Sequence, residues 1–239
     1  MKRINTRHII ILAAIVAGAS IALQQANGVE VAEGEDTVVV DLPAPKTVGS
    51  VSVAEALARR RSHREFADER LSIETVAQLC WAAQGITDVA RGFRTAPSAG
   101  ALFPITVFVA DSDGAYEYRP DRHQLRRVVS GDVRKKLQAA ALGQSSVGSA
   151  PVCMVITFDV ARTASKYGRR AERYCLLEAG HVAQNVLLQA TALGVVGVPV
   201  GAVEEKRVAE TLELPRRLSP VYLLPLGRPI PEKNEAARD

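Results

Sequence analysis

Residues 172–194 read "ERYCLLEAGHVAQNVLLQATALG", from Glu172 to Gly194. The stretch has no proline, is rich in Ala, Leu and Gln, and closes on a glycine, all of which favour one long helix. Its apolar residues do not keep to a single stripe; at 100° per residue they point around most of the circumference. Such a helix has to be covered on most sides. It is therefore predicted to be the central element or to lie at a subunit seam, with Val182, Val186 and Gln189 near that seam. A chain of 239 residues has little spare material for the covering, so a dimer is expected.

Working outward, "APVCMVITF" (Ala150–Phe158) has an unbroken apolar run from Val152 to Ile156 and reads as a buried strand. "ITVFVA" from Ile105 is a second strand. "DSDG" (Asp111–Gly114) turns the chain, and "AYEY" returns as its hairpin partner. "SPVYLLPLGRP" is the last strand. Helices are expected from Val53 to about Arg61, opened by a Ser52/Glu55 capping box, and through "LSIETVAQLCWAAQG", with Ser72 as cap and Gly85 as stop. Two more are expected from Val133 to Leu142 behind Asp132, and through "VEEKRVAETLEL". Helices and antiparallel strands are mixed without an internal repeat. That is an α+β layout, a modest mixed or antiparallel sheet flanked by helices.

The folded domain is expected over residues 48–231, followed by a polar tail, 232–239. At the other end, Lys2, Arg3 and Arg7 precede an apolar run, Ile9 to Leu23, with small residues at Ser20 and Ala22. This reads as a signal peptide or an N-terminal membrane anchor over 1–23; the run is shorter than the ~20 residues that span a bilayer comfortably. It implies an exported or membrane-tethered protein facing the extracytoplasmic side, or a cytoplasmic one if the segment is instead a helix of the fold. Residues 24–47, polar and acidic with two prolines, read as a linker or extended arm.

The net charge of +4 is mild and aromatics are few, which argues against a nucleic-acid surface. Cys80, Cys153 and Cys175 are widely spaced and lie in apolar runs, as buried small hydrophobes do. His8, His63, His123 and His181 have no ligand spacing, so no metal site is expected; His181, on the long helix, reads as a core or interface residue.

Three stretches carry chemistry. "RRSHREF" gathers Arg60, Arg61, Ser62 and Arg64 at a helix end, where guanidiniums and a hydroxyl can hold a phosphate or simply be solvated. "PSAGALFP" (Pro97–Pro104) keeps Ser98, Ala99, Gly100 and Ala101 small, so its backbone can come close to a flat ligand. A rival reading makes Ser98 the nucleophile of a serine hydrolase, but the elbow that presents such a serine follows a strand and opens a helix, and Pro104 opposes that. "ALGVVGVPVGA" (Ala192–Ala202) follows a helix and has no G-x-G-x-x-G, so no Rossmann site is supported.

Together, R-x-S-x-R at Arg60, Ser62 and Arg64, "PSAGALFP" and "EAGHVAQNVLLQATALG" resemble the nitroreductase-like flavoproteins, in the branch of the thiazoline/oxazoline (SagB-type) dehydrogenases. The resemblance runs from Ser50 to Pro229. It implies a nitroreductase-like fold, an intertwined homodimer and a non-covalently bound FMN at the interface. It implies that Arg60, Arg61, Ser62 and Arg64 face the phosphate and ribityl chain, with Arg228 completing that site. Pro97, Ser98, Ala99, Gly100 and Ala101 would lie along the isoalloxazine edge, Pro199, Val200 and Gly201 against the rings, and Glu178 close to the flavin. The implied activity is hydride transfer between flavin N5 and a small-molecule or peptide substrate. Lys166, Tyr167 and Tyr174 are the candidates for acid–base work. A flavin-binding homodimer without catalysis remains the alternative.

Overall fold

The structure, a computed structural model, describes residues 38–231. The expected signal or anchor over 1–23 and the tail at 232–239 lie outside the described residues. The strands are β1 (Val39–Asp41), β2 (Ile86–Asp88), β3 (Phe93–Arg94), β4 (Ile105–Ala110), β5 (Gly114–Arg119), β6 (Gln124–Ser130), β7 (Val152–Asp159), β8 (Val196–Gly197) and β9 (Leu218–Gly227). The helices are α1 (Val53–Arg59), α2 (Ile73–Gln84), α3 (Arg134–Ala140), α4 (Ser145–Ser149), α5 (Val160–Tyr167), α6 (Ala171–Ala192) and α7 (Glu205–Thr211). The fold is α+β, as expected.

A seven-stranded sheet, ordered β1-β6-β5-β4-β7-β9-β8, is antiparallel throughout. β4 and β7 are apolar on both faces because both faces are covered. On one face Val107, Val109, Met154, Ile156, Leu224 and Leu226 join a core with Leu79 of α2 and Val182 and Val186 of α6. On the other, Phe108, Ala110, Cys153, Val155 and Leu223 meet Leu137 of α3 and Val208 and Leu212 at α7. The register Val107↔Ile156 and Met154↔Leu224 keeps each set on its own side.

Helix starts follow their caps. The Ser52 hydroxyl accepts the Glu55 N–H, and the Ser72 hydroxyl accepts the Thr75 N–H. Asp132 accepts the Arg134 N–H, but α3 stops at Ala140, two residues short of expectation. β6 and α5 have no counterpart among the expected elements. "QLRRVVS" puts two arginines mid-strand, and it pairs because β1 and β5 flank it.

Part of the expected linker belongs to the sheet. Val39–Asp41 pairs with β6, Leu42 is buried, and the Leu42 N–H donates to the His123 carbonyl. His123 then joins the Tyr118 hydroxyl to the Pro43 carbonyl, at 2.9 Å on each side. Two of the residues expected at a seam lie inside the chain instead. Val182 and Val186 are fully buried in the chain's own core, whereas Leu176, Leu177, His181 and Gln184 are exposed. Only one stripe of α6 is left uncovered, because the sheet and α2 take the rest. Among the described helices, none is long and apolar enough to cross a membrane.

Ile156 is fully buried at the centre of this packing. Ile156→Ala should lower stability by about 2–5 kcal/mol, read as a fall in the urea midpoint with an unchanged slope. A loss under about 1 kcal/mol would mean that the site collapses around the smaller side chain.

Candidate functional site

The expected residues fall into two groups at opposite ends of α6. At its C-terminal end, the segment after α1 lies along β8: Ser62 forms a bridge with Gly197, and the His63 N–H donates to the Gly197 carbonyl at 3.1 Å. The Ala67 N–H donates to the Arg228 carbonyl at 2.9 Å. The arginine cluster, the "GVPVG" turn and Arg228 are thus brought together from three distant parts of the chain. Arg64 is exposed and Arg60 half-buried. Arg61 turns back onto α1, donating to the Ala58 and Arg60 carbonyls at 3.0 and 2.8 Å. Arg228 caps α6 through Nη1, at 2.6 Å from the Leu193 carbonyl oxygen. Pro199 and Gly201 are exposed, but the Val200 side chain is buried in the core and its backbone N–H and carbonyl are both paired with Leu223.

At the N-terminal half of α6 lies the small-residue loop. It leaves β3 and makes a single 3₁₀ turn, Ala99–Ala101. Gly100, Ala101 and Phe103 have φ of 63°, 55° and 47°, in the left-handed region. For the alanine and phenylalanine this is strained, at about 1–3 kcal/mol each. Ser98 restrains the loop by accepting the Phe103 N–H at 2.8 Å. Among the described residues no hydrogen bond joins Ser98 to a histidine, and only a single 3₁₀ turn follows it in place of the helix that a nucleophile elbow opens, which weighs against the hydrolase reading.

The residues that come close to Gly100 belong to the chain itself. A Cβ at Gly100 would stand 2.9 Å from Lys166 Nζ and 2.9 Å from the Tyr167 hydroxyl oxygen. The absence of a side chain at Gly100 therefore leaves room for two of the three acid–base candidates. Tyr174 packs edge-on against Tyr167, with ring centroids 4.8 Å apart. It holds that ring in place.

Beneath the loop is a buried polar group that the sequence pointed to only in part. Glu178 is 3 % exposed, so it faces the loop from below instead of opening on solvent. Glu178 Oε1 and Gln84 Nε2 are both buried without a hydrogen-bond partner. Gln84 Oε1 accepts from Arg94 Nη1 at 2.7 Å, and the Arg94 guanidinium lies 4.8 Å over the Phe103 ring. Burial pushes the Glu178 carboxyl up to about 7, against the opposing pull of Ser98, Arg94, Gln84 and Arg162. The Ser98 hydroxyl accepts from Phe103 and is one of the groups whose pull opposes burial at Glu178. Gln84 and Arg94 gave no signal in sequence: one ends a helix and the other lies in a two-residue strand.

A cavity of about 660 Å³ lies elsewhere, between the segment from Pro43 to Val53, α2 and the C-terminal half of α6. It touches the loop only at Thr95, whose carbonyl accepts from Asn185 Nδ2 at 3.3 Å.

Known proteins agree with this architecture. The model of the nitroreductase family matches residues 57–228. A nitroreductase-family protein of Methanocaldococcus jannaschii is 38 % identical over 201 residues, covering 82 % of this chain and 98 % of its own. The microcin B17-processing protein McbC of Escherichia coli is 27 % identical over 197 residues, covering 77 % and 72 %. A crystal structure of a nitroreductase-family protein from Ralstonia eutropha superposes with a TM-score of 0.75 at 29 % identity, covering 81 % and 90 %.

The raised Glu178 carboxyl has a consequence for stability. Its ordinary value is 4.5, so between about 4.5 and 7 the folded state holds a proton that the unfolded state has released. Stability should therefore fall as pH rises through that window, by up to about 1.4 kcal/mol per pH unit, and level off above it. In Glu178→Gln this contribution should vanish. Parallel urea denaturation curves at pH 5 and 8 check it; an unchanged pH slope in the variant would place the titrating group elsewhere.

Proposed function

The chain belongs to the nitroreductase family, in the branch that includes the SagB-type dehydrogenases, and on that premise we propose that it is an FMN-dependent oxidoreductase working as a homodimer. Bound FMN would supply the two-electron centre that exchanges hydride with a small-molecule or peptide substrate. The observation that carries this reading is the meeting of Lys166 Nζ and the Tyr167 hydroxyl at Gly100.

The residues present fit the cofactor. The loop from Pro97 to Ala101 has no side chain large enough to keep a planar ring from its backbone. Pro199 and Gly201 are exposed beside the arginine cluster. Arg60, Ser62 and Arg64 supply donors for a phosphate. Arg228 supports them by closing α6, with its remaining guanidinium nitrogens available to the same anion.

Glu178 and Leu193, which mark the two groups, are 15 residues apart on α6, or about 22 Å along a helix axis. A second copy related by a twofold axis would set one chain's arginine cluster beside the other's loop. The uncovered stripe of α6 supports this. Leu176 and Leu177 are 45 % and 52 % exposed, on the side where a partner helix would seal them.

Lys166 and Tyr167 do the proton work. Oxidising a C–N or C–C single bond to a double bond takes a hydride from carbon and a proton from the neighbouring atom, and the reverse reduction needs that proton delivered. The Tyr167 hydroxyl and Lys166 Nζ both border the space beside Gly100, where either could exchange a proton with a molecule resting there. Tyr174 keeps the Tyr167 ring oriented, and Ser98 holds the loop through the Phe103 N–H. Their presence favours an active enzyme over a flavin-binding dimer without catalysis. The N-terminal apolar run supports export or tethering, and an exported enzyme would exchange electrons with something other than a cytosolic NAD(P)H pool.

Purified protein should be yellow, and Arg64→Ala should weaken FMN binding roughly 10–100-fold. Gly100→Val should fold yet purify pale, since its Cβ meets Lys166 and Tyr167 and demands a left-handed backbone. A fully loaded Gly100→Val protein would remove the loop from the flavin site. Tyr167→Phe and Lys166→Met should keep flavin absorbance and the dimer while losing about 10²–10⁴ in turnover of a substrate that needs proton transfer. Full activity in both would sink their assignment.

A further inference from the structure

Between residues 160 and 177 the chain carries five basic side chains, Arg162, Lys166, Arg169, Arg170 and Arg173, against one acid, Glu172. That excess equals the +4 of the whole chain. All five are exposed, on the arch formed by α5, the 3₁₀ turn Gly168–Arg170 and the start of α6. Several arginines elsewhere are paired, among them Arg59 with Glu55, Arg70 with Asp113 and Arg134 with Asp132. Among the described residues none of the five has a carboxylate within 4.0 Å. Asp159 is the neighbouring acid, and it is engaged by the Ala161 and Arg162 N–H groups and by Arg217.

Helix stability does not explain the cluster. Cations suit helix C-termini, which accounts for Lys166, but Arg170 and Arg173 sit at the N-terminal end of α6, where the macrodipole disfavours positive charge. Crowding also reaches inward. After burial, the repulsion of Arg162 is the next cause lowering the Arg94 guanidinium. Uncompensated cations that repel one another next to a reaction face are relieved by an anion from outside.

We propose that this arch is the receiving site for an oxyanion on the substrate: the molecule that rests against Gly100, Lys166 and Tyr167 carries a carboxylate or a phosphate, which Arg169, Arg170 and Arg173 draw in and hold. The inference rests on the reading of Gly100, Lys166 and Tyr167 as the reaction face, but anion binding can be measured without turnover. The arch collects the chain's charge excess at one mouth, so it also raises the encounter rate of anionic molecules, an effect that salt removes over a Debye length of about 8 Å at physiological ionic strength.

The test is equilibrium dialysis of the purified dimer, as isolated, against three probes of like ring size: 4-nitrobenzoate, 4-nitrophenyl phosphate and neutral 4-nitrobenzamide. At low salt at least one anion should bind about tenfold more tightly than the amide, the sum of several exposed ion pairs. The stronger of the two identifies the group as carboxylate or phosphate. The preference should vanish at high salt and in the triple variant Arg169→Gln, Arg170→Gln, Arg173→Gln, and return in the corresponding triple lysine variant. Amide binding and circular dichroism should not change. Equal binding of all three probes, no binding of either anion, or an anion preference that survives the triple glutamine variant would overturn the proposal. So would conversion of that variant to a monomer in light scattering, since the arch would then be a subunit contact. Tyr167→Phe separates the two readings. Retained turnover there counts against the reaction face alone, while a retained anion preference leaves the arch standing.

Discussion

Burial of one side of α6 against the sheet is the constraint on which the rest depends. Cys175, Ala179, Val182 and Val186 are fully buried, and the strand residues opposite, Met154, Ile156, Leu224 and Leu226, are buried with them. Once that side is fixed, every other residue of the helix has a determined direction. Glu178 is sealed under the loop, Leu176, Leu177, His181 and Gln184 look outward, and Leu193 presents its carbonyl to Arg228. Sliding the helix by one residue would rotate it by 100° and undo all of these at once.

The loop from Ser98 to Phe103 shows how strain is distributed around such a fixed element. Two non-glycine residues are held at positive φ, and that is sustained only because Ser98 closes the turn and Arg94 packs on Phe103. The same arrangement leaves Glu178 and Gln84 with unpaired buried atoms. Unsatisfied polar atoms and a strained backbone are costly, and here they occur within one cluster beside Lys166 and Tyr167. A site that has to receive a ligand keeps such costs; a structural core removes them.

The elements with strong local signals were legible. The serine caps of α1 and α2, the glycine after each long helix, and the apolar runs of β4, β7 and β9 all formed where patterning placed them, because caps and periodicity act over a few residues. β6 was not legible, since its mid-strand arginines resemble a loop until β1 and β5 pair with it. β1 looked like a linker for the same reason: its place is set by pairing with β6, by burial of Leu42 and by the His123 bridge between Tyr118 and Pro43.

The sequence by itself determined the family, the α+β class, the long helix and the residue types at both candidate groups. Those follow from local motifs and from an apolar pattern that must be buried. Tertiary structure decided which side of α6 is buried, and so placed Val182 and Val186, two of the expected seam residues, in the chain's own core and left Leu176 and Leu177 exposed. It also decided that Lys166 and Tyr167, more than sixty residues beyond Gly100, are what its missing side chain makes room for. The physical reason is the same in both cases. Hydrophobicity says that a surface must be covered, but only the packed chain says by what.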